Sequence, residues 1–424
     1  MRFLYSTLFR LLLPFVMLRL VWRSRRAPAY RRRLGERLGY FTPPADPRPV
    51  IWIHAVSLGE TLAARPLIER LLAERSDHQL VITTTTPTGS EQVLRLFGER
   101  VFHVYAPWDT PGAVRRFLRR VQPRMLVLME TELWPNMLHL SRKQDVRIVL
   151  ANARLSVRSA AGYARIPKTT RGMFACLDWV GAQASTDADH FLQLGMLPSQ
   201  IGVIGSIKFD VSLDDTLRER AAALRRDWSL DHRPVFIVAS THEGEDEIAL
   251  DALAMLQERF DNVLMLLAPR HPERFAEVAA LIASRGLTMA HRADGGVPQA
   301  GTQVLLIDTL GELLQLFGVA DVAVIGGSFV TRGGHNPLEA AAWGLPVLCG
   351  QSMFNFEDVT QRLQAAGALE QVLSTRELAA GLTGLLGDPE EAQRRGAAAR
   401  RVLEANRGAV DRLMAGLDSL LGRA

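Results

Sequence analysis

The side chains in this sequence that could do chemistry sit just beyond short apolar runs. Ser57-Leu-Gly-Glu60 follows the run from Val50 to His54, Met129-Glu-Thr-Glu-Leu-Trp-Pro-Asn136 follows Met125 to Leu128, and Gly205-Ser-Ile-Lys-Phe-Asp210 follows Ile201 to Ile204. A carboxylate fixed at such a place, Glu60, can take the proton of an attacking hydroxyl as a bond forms. It equally suits the start of a helix, where the macrodipole favours negative charge, and at this point both readings stand. Glu130 and Glu132 are two residues apart. If the chain turns between them, one can face a cleft while the other caps the following helix; we read Glu130 as facing the cleft and Trp134 as core packing. Lys208, one of few lysines in an arginine-rich chain, offers a compact cation to a phosphate or a developing negative charge.

A second set lies further along. Ala239-Ser-Thr-His-Glu-Gly-Glu245 and Ala268-Pro-Arg-His271 each follow an apolar run, and Arg270 is suited to a phosphate or carboxylate. His242 and His271 read equally as hydrogen-bonded loop histidines, and no pair of them has metal-ligand spacing. In Asp308-Thr-Leu-Gly-Glu-Leu313, Gly311 frees the backbone, while capping accounts for Thr309 and Glu312 as well as ligand binding does. The stretch from Gly326 to Val347 reads as an anion-binding turn. Its glycines let backbone amides approach a ligand, Pro337 suits the first turn of a helix, and that helix start would face a phosphate. His335, Asn336 and Glu339 gather there, with Glu339 one helical turn along from His335. Strand order is expected to set the Asp308–Leu313 turn beside it. Such a combination suits a nucleotide-sugar.

The elements needed to hold these groups are strand–turn–helix units. Apolar runs at 50–54, 79–83, 101–105, 125–128, 146–150, 179–182 and 201–204 alternate with helical patterns, which predicts a parallel sheet with right-handed crossovers. A second series follows at 235–239, 263–267, 304–307, 322–325 and 347–349. The fold class is therefore α/β, with two doubly wound, Rossmann-like domains and a cleft between their strand C-termini. The domains are placed at 23–205 and 206–424, separated near the charged segment Leu213–His232, with Pro43–Pro49 as a linker after the N-terminal region. The Ala-, Arg- and Leu-rich stretch from Pro389 to Leu421 is expected to be helical, to pack on the outside and to carry no chemistry.

Length and apolar content suffice for two cores. Cys176 and Cys349 are the two cysteines; they lie beside apolar segments without metal-ligand spacing, which fits a reducing compartment. The net charge of +5 is concentrated between Arg19 and Arg37, where eight arginines face only Glu36, so the rest of the chain is about −2. Local basicity of this kind speaks against a broad nucleic-acid surface and for a membrane-facing collar. It follows the apolar segment from Phe3 to Trp22, which has the length of a bilayer span. Arg10, Pro14 and Arg19 interrupt that segment, so a helix lying in the interface is the alternative to a crossing, and the arginine-rich side is cytoplasmic by the positive-inside rule.

Taken in order, His54-Ala-Val-Ser-Leu-Gly-Glu60, Glu130-Thr-Glu-Leu-Trp-Pro-Asn136, Asn152-Ala-Arg-Leu-Ser156, Lys208-Phe-Asp210, Pro269-Arg-His271, Gly311-Glu-Leu313 and Gly333-Gly-His-Asn-Pro-Leu-Glu339, behind an N-terminal anchor at 1–22, make the chain resemble a known family. That family is the 3-deoxy-D-manno-octulosonic acid (Kdo) transferases of lipopolysaccharide synthesis, glycosyltransferases of the GT-B fold. The resemblance implies inverting transfer of Kdo from CMP-Kdo to a lipid A precursor, lipid IVA, at the cytoplasmic side of the bacterial inner membrane, with no metal and no other cofactor. It implies Glu60 as proton acceptor, with Glu130 and Lys208 assisting the transition state. It places CMP against Pro269, Arg270, Leu310, Gly311, Glu312, Asn336, Pro337, Leu338 and Glu339, in the second domain, and leaves the first to the acceptor. The chain departs from the family at Gly350-Gln-Ser-Met-Phe-Asn-Phe356, where Gly-Pro-His commonly precedes Asn-Phe, so no contact is carried over there. Two rival readings remain: a GT-B enzyme that uses a UDP-sugar, and a lipopolysaccharide-assembly scaffold without turnover.

Overall fold

A computed structural model describes residues 2–23 and 31–422 of the chain. Arg25 and Arg26 of the arginine collar lie outside the described residues. The chain forms two compact units, 1–210 with 407–424, and 211–406.

In the first unit seven parallel strands, β1 (Val50–His54), β2 (Gln79–Thr84), β3 (Phe102–Tyr105), β4 (Pro123–Met129), β5 (Arg147–Ala153), β6 (Trp179–Ala182) and β7 (Ile201–Val203), lie in the order β3-β2-β1-β4-β5-β6-β7. Every residue of β1 is buried, as expected of a strand covered on both faces. Its side chains alternate between two cores. Trp52 packs against Phe117 with tilted rings whose centroids are 4.4 Å apart, whereas Ile51 and Ile53 pack with Leu67, Leu413 and Leu417. The order reverses between the neighbours β1 and β4, so the turns after these two strands open at the topological switch point, where doubly wound sheets bind ligands.

The second unit repeats the plan with β8 (Val235–Thr241), β9 (Leu264–Pro269), β10 (Met289–His291), β11 (Val304–Leu306), β12 (Val322–Ile325), β13 (Val347–Cys349) and β14 (Leu369–Gln371), ordered β10-β11-β9-β8-β12-β13-β14. Here the switch falls between β8 and β12.

Three sequence expectations change. The first unit runs to Asp210 rather than 205, because the turn Ile207–Phe209 buries Ile207 and Phe209 in its interior. The C-terminal stretch is two helices, Pro389–Asn406 and Ala409–Leu421, broken where Gly408 adopts a positive φ of 84°. The last helix belongs to the first unit, not the second. Its residues Leu413, Met414 and Leu417 are core, each stabilising by roughly 2 kcal/mol, so it is no external decoration. The second sheet has seven strands, not five. The additional β10 and β14 are the two edges, three-residue segments without an apolar run.

Candidate functional site

Glu60 stands in the first turn of the helix Leu58–Glu74, which begins after β1. Ser57 caps that helix: its Oγ accepts from the Glu60 amide at 3.3 Å and donates to Glu60 Oε1 at 3.0 Å, while Oε2 accepts from the Val56 amide at 2.8 Å. The carboxylate is thus part of the helix start. It is also only 8% exposed. Burial, chiefly, together with the charges of Glu130 and Glu132, pushes its pKa up to about 7, against the lowering bonds from Val56 and Ser57. A carboxylate half-ionised near neutrality is tuned for proton transfer.

Glu130 follows β4 and has a φ of 56°, the left-handed region that non-glycine residues seldom occupy and that clusters at functional sites. Its amide donates to the Ala151 carbonyl at 2.9 Å. Glu132, which the sequence offered as the helix cap, does not cap. Asp109 does so, accepting from the amides of Asn136 at 3.0 Å and Met137 at 2.7 Å. Glu132 instead accepts from Trp134 Nε1 at 3.1 Å, and burial, with the Glu130 charge, raises its pKa. Three carboxylates therefore neighbour one another, and Trp134 packs on the core as expected. Asp109 carried no local signal, since its partners lie 27 and 28 residues away.

Lys208 is held by its neighbours in the chain. Ile207 and Phe209 anchor the turn in the interior, the Ile207 amide donates to Asn152 Oδ1 at 3.2 Å, and Asp210 accepts from Gly408 and Val410 at 2.6 and 2.5 Å, capping the last helix. The turn packs on the helix that carries Glu60. Lys-Phe-Asp is thus a half-buried cation, a core plug and a cap.

In the second unit the glycine-rich turn after β12 departs from expectation. The amide of Gly327 donates to Glu245 Oε2 at 2.6 Å, that of Gly326 to the Ala239 carbonyl, that of Gly333 to Ser352 Oγ and that of Gly334 to the Gly327 carbonyl. These amides serve the turn rather than a ligand. The glycines are required sterically: a Cβ on Gly326 would lie 2.5 Å from the Ser240 carbonyl oxygen, and Gly334, with φ 72°, packs against Met353. Glu245, only 2% exposed, fastens the turn to β8 by accepting also from the His242 and Phe329 amides at 2.8 and 2.9 Å. The helix beyond is only six residues, Leu338–Trp343, with Pro337 as its N-cap rather than its first residue, which leaves little macrodipole. Asn336 Oδ1 accepts from the Leu338 amide at 3.1 Å.

His335 lies before that helix, so the one-turn helical spacing expected between it and Glu339 does not apply. His335 stacks on His242, rings 5.2 Å apart, with the two Nε2 atoms 3.0 Å apart. One imidazole must therefore donate to the other. His271 meets His242 edge-on at 5.3 Å. Burial first, then Arg270 and the neighbouring imidazoles, lower the pKa of His335 to about 3; burial, His271 and nearby arginines lower that of His242 to about 4. This pair of neutral histidines beside Arg270 was not legible as a pair, because 93 residues separate its members. The Arg270 amide donates to the Thr241 carbonyl at 3.0 Å, joining the ends of β9 and β8. Among the described residues, no group of three His, Cys, Asp or Glu side chains is placed to hold a metal.

The Asp308–Leu313 turn is not brought to the glycine turn by strand order, because β9 and β8 stand between β11 and β12. The helices Leu313–Phe317 and Leu338–Trp343 pack together instead, with Trp343 Nε1 donating to the Leu314 carbonyl at 2.6 Å. Glu312 is clamped by Arg292 at 2.9 Å and by Thr309 at 2.6 Å, and the Arg292 contact holds its pKa below the usual range. It makes no side-chain cap. Leu310, before Gly311 with φ 92°, is exposed.

The chain is 40% identical over 415 residues to a 3-deoxy-D-manno-octulosonic acid transferase of Haemophilus influenzae, covering 97% of each chain. It is 39% identical to one of Bordetella pertussis, covering 99% of this chain and all of the other. This chain belongs to the Kdo transferase family. It is a glycosyltransferase. Residues 32–211 match the family model described as 3-Deoxy-D-manno-octulosonic-acid transferase (kdotransferase). The fold is GT-B: a solved glycosyltransferase of Rickettsia africae aligns with a TM-score of 0.54 at 14% identity, covering 89% of this chain and 100% of that one. A UDP-GlcNAc 2-epimerase of Neisseria meningitidis aligns with 0.55 at 15% identity, covering 87% and 99%.

Proposed function

We propose that this Kdo transferase family member moves Kdo from CMP-Kdo to a lipid A precursor such as lipid IVA, in lipopolysaccharide synthesis at the cytoplasmic face of the inner membrane, by a single inverting displacement without a metal. The observation that carries this reading is Glu60, buried at a switch point with a pKa of about 7 and two carboxylates beside it. Glu60 removes the proton of the acceptor hydroxyl as the new bond forms. Positive charge grows on the anomeric carbon, as in glycoside hydrolysis, and Glu130 supplies the compensating negative charge. The departing CMP gains negative charge, to which Lys208 responds as a point cation.

The first unit supplies the base and receives the acceptor; the second receives CMP. There Arg270 meets the phosphate. Pro269, Leu310, Gly311 and Glu312 contact the nucleotide, with Leu310 giving its exposed side chain, as do Asn336, Pro337, Leu338 and Glu339. Because the glycine amides are occupied within the turn, Arg270 and side chains carry more of the anion recognition than the glycines do.

Mass spectrometry of the product made by purified protein from CMP-Kdo and lipid IVA tests the assignment. A gain equal to one or more Kdo residues is expected, and the gain counts the sugars added. No product, together with calorimetric binding of UDP but not CMP, would assign the chain to a UDP-sugar reaction instead.

A further inference from the structure

The N-terminal helix Arg2–Arg23 is long and apolar enough to cross a membrane, yet both of its flanks are tied to the same unit. Near its start, Ser6 is buried and its Oγ donates to Asn136 Oδ1 at 3.0 Å. The Tyr5 hydroxyl hydrogen-bonds the Asp109 carboxylate. Asn136 and Asp109 are themselves buried and bonded to each other, Asn136 Nδ2 donating to the Asp109 carbonyl at 2.7 Å. Beyond its end, Arg33 donates to Ser90 Oγ and to the His103 carbonyl, both at 3.0 Å, and Arg37 donates to the Thr85 carbonyl at 2.8 Å.

Ser6 precedes Trp22 by sixteen residues, about 24 Å along a helix axis. A crossing would carry Ser6 and Tyr5 through most of the roughly 30 Å hydrocarbon layer, away from partners on the side where Arg33 and Arg37 are docked. It would also leave Asp109 and Asn136 without those bonds, a cost of the kind that buried polar groups avoid.

The exposed face points the same way. Leu4, Leu8, Leu11, Phe15, Leu18 and Trp22 follow one another at steps of four and three and are each more than half exposed, so they form one apolar stripe. Ser6, Leu13, Met17 and Leu20 lie on the opposite side and are buried or half-buried. Arg10, Arg19, Arg31 and Arg32 are exposed, ready for acidic headgroups.

We infer that this helix does not cross the membrane but lies in the plane of one leaflet, with the Leu4–Trp22 stripe in the acyl boundary and Tyr5 and Ser6 latched to Asp109 and Asn136. The partner is an anionic lipid monolayer, and the latch ties its plane to the segment that carries Glu130 and Glu132.

Spin labels on Leu4→Cys, Leu11→Cys and Leu18→Cys, all on the exposed stripe, read depth by electron paramagnetic resonance in vesicles of phosphatidylethanolamine and phosphatidylglycerol with the full chain added from outside. Cys176 and Cys349 are buried and stay in place. All three labels are expected at one shallow depth, about 5–10 Å below the headgroups, and all are expected to be reduced by ascorbate from outside. A Leu11 label near the bilayer centre, about 15 Å deep, with the Leu4 label protected from ascorbate, would overturn the inference in favour of a crossing. Three labels that remain in water would overturn it by removing the lipid partner.

Discussion

At Glu60 the same atoms that close the helix start are those we propose as the base. A base must be ionised to work, and its pKa is raised above the ordinary carboxylate value to about 7. The rate under donor saturation should therefore rise with pH through about 7 and fall away below it; a rate that is flat from pH 5 to pH 8 would place the proton transfer elsewhere. The linked stability runs the other way. A raised folded-state pKa favours the protonated form, so this contribution, about 3 kcal/mol by the size of the shift, is present below the unfolded value near 4.5 and lost as pH rises through about 7. Holding Glu60 at this raised pKa thus costs the fold stability at the pH where the proposed proton transfer would need it ionised. Arg270 is the second residue whose role can be isolated. Charge-assisted bonds contribute about 1.5–3 kcal/mol, so Arg270→Ala should weaken CMP binding by about tenfold to a hundredfold in calorimetric titration; unchanged affinity would remove Arg270 from the phosphate.

Elements set where these residues stand, and two carboxylates, the buried Glu245 and the half-buried Asp210, do much of that work. Glu245 takes three backbone amides that would otherwise be orphaned. Glu245→Ala should cost about 3 kcal/mol in urea unfolding and loosen the glycine turn, seen as weaker CMP binding; a loss below 0.5 kcal/mol would mean the turn holds itself. Asp210, the cap of the last helix, should cost about 1–2 kcal/mol on replacement by Ala. Much of this architecture was legible in the chain. Val50–His54 and Leu264–Leu267 announce buried parallel strands because nearly every residue is apolar. Glu60, Glu130 and Lys208 stand out because each follows such a run. The edges β10 and β14 were not legible: Met289-Ala-His and Leu369-Glu-Gln are short and covered on fewer sides, so they carry no apolar run. Nor were the strand orders, which place Glu60 beside Glu130 and His242 beside His335, because adjacency of β1 with β4 and of β8 with β12 is decided by packing across the chain. The glycine turn misled for the same reason: the carboxylate that takes the Gly327 amide comes from 82 residues away.

For the whole molecule, the chain's return is the feature that local reading missed. The last helix leaves the second unit and completes the core of the first through Leu413, Met414 and Leu417. A chain ended at Asn406 should therefore lose hydrogen-exchange protection in β4 and β5 while β8 and β9 keep theirs; equal protection in the truncated and full chains would make the helix peripheral. The family's activity is proposed to depend on one proton acceptor, Glu60. That dependence is tested most directly by single-turnover transfer of Kdo from CMP-Kdo to lipid IVA by Glu60→Gln, with CMP affinity measured on the same preparation. A rate lowered by about two to four orders of magnitude, with CMP binding unchanged, is expected. Near-normal transfer by Glu60→Gln would reduce Glu60 to a helix cap and contradict that dependence.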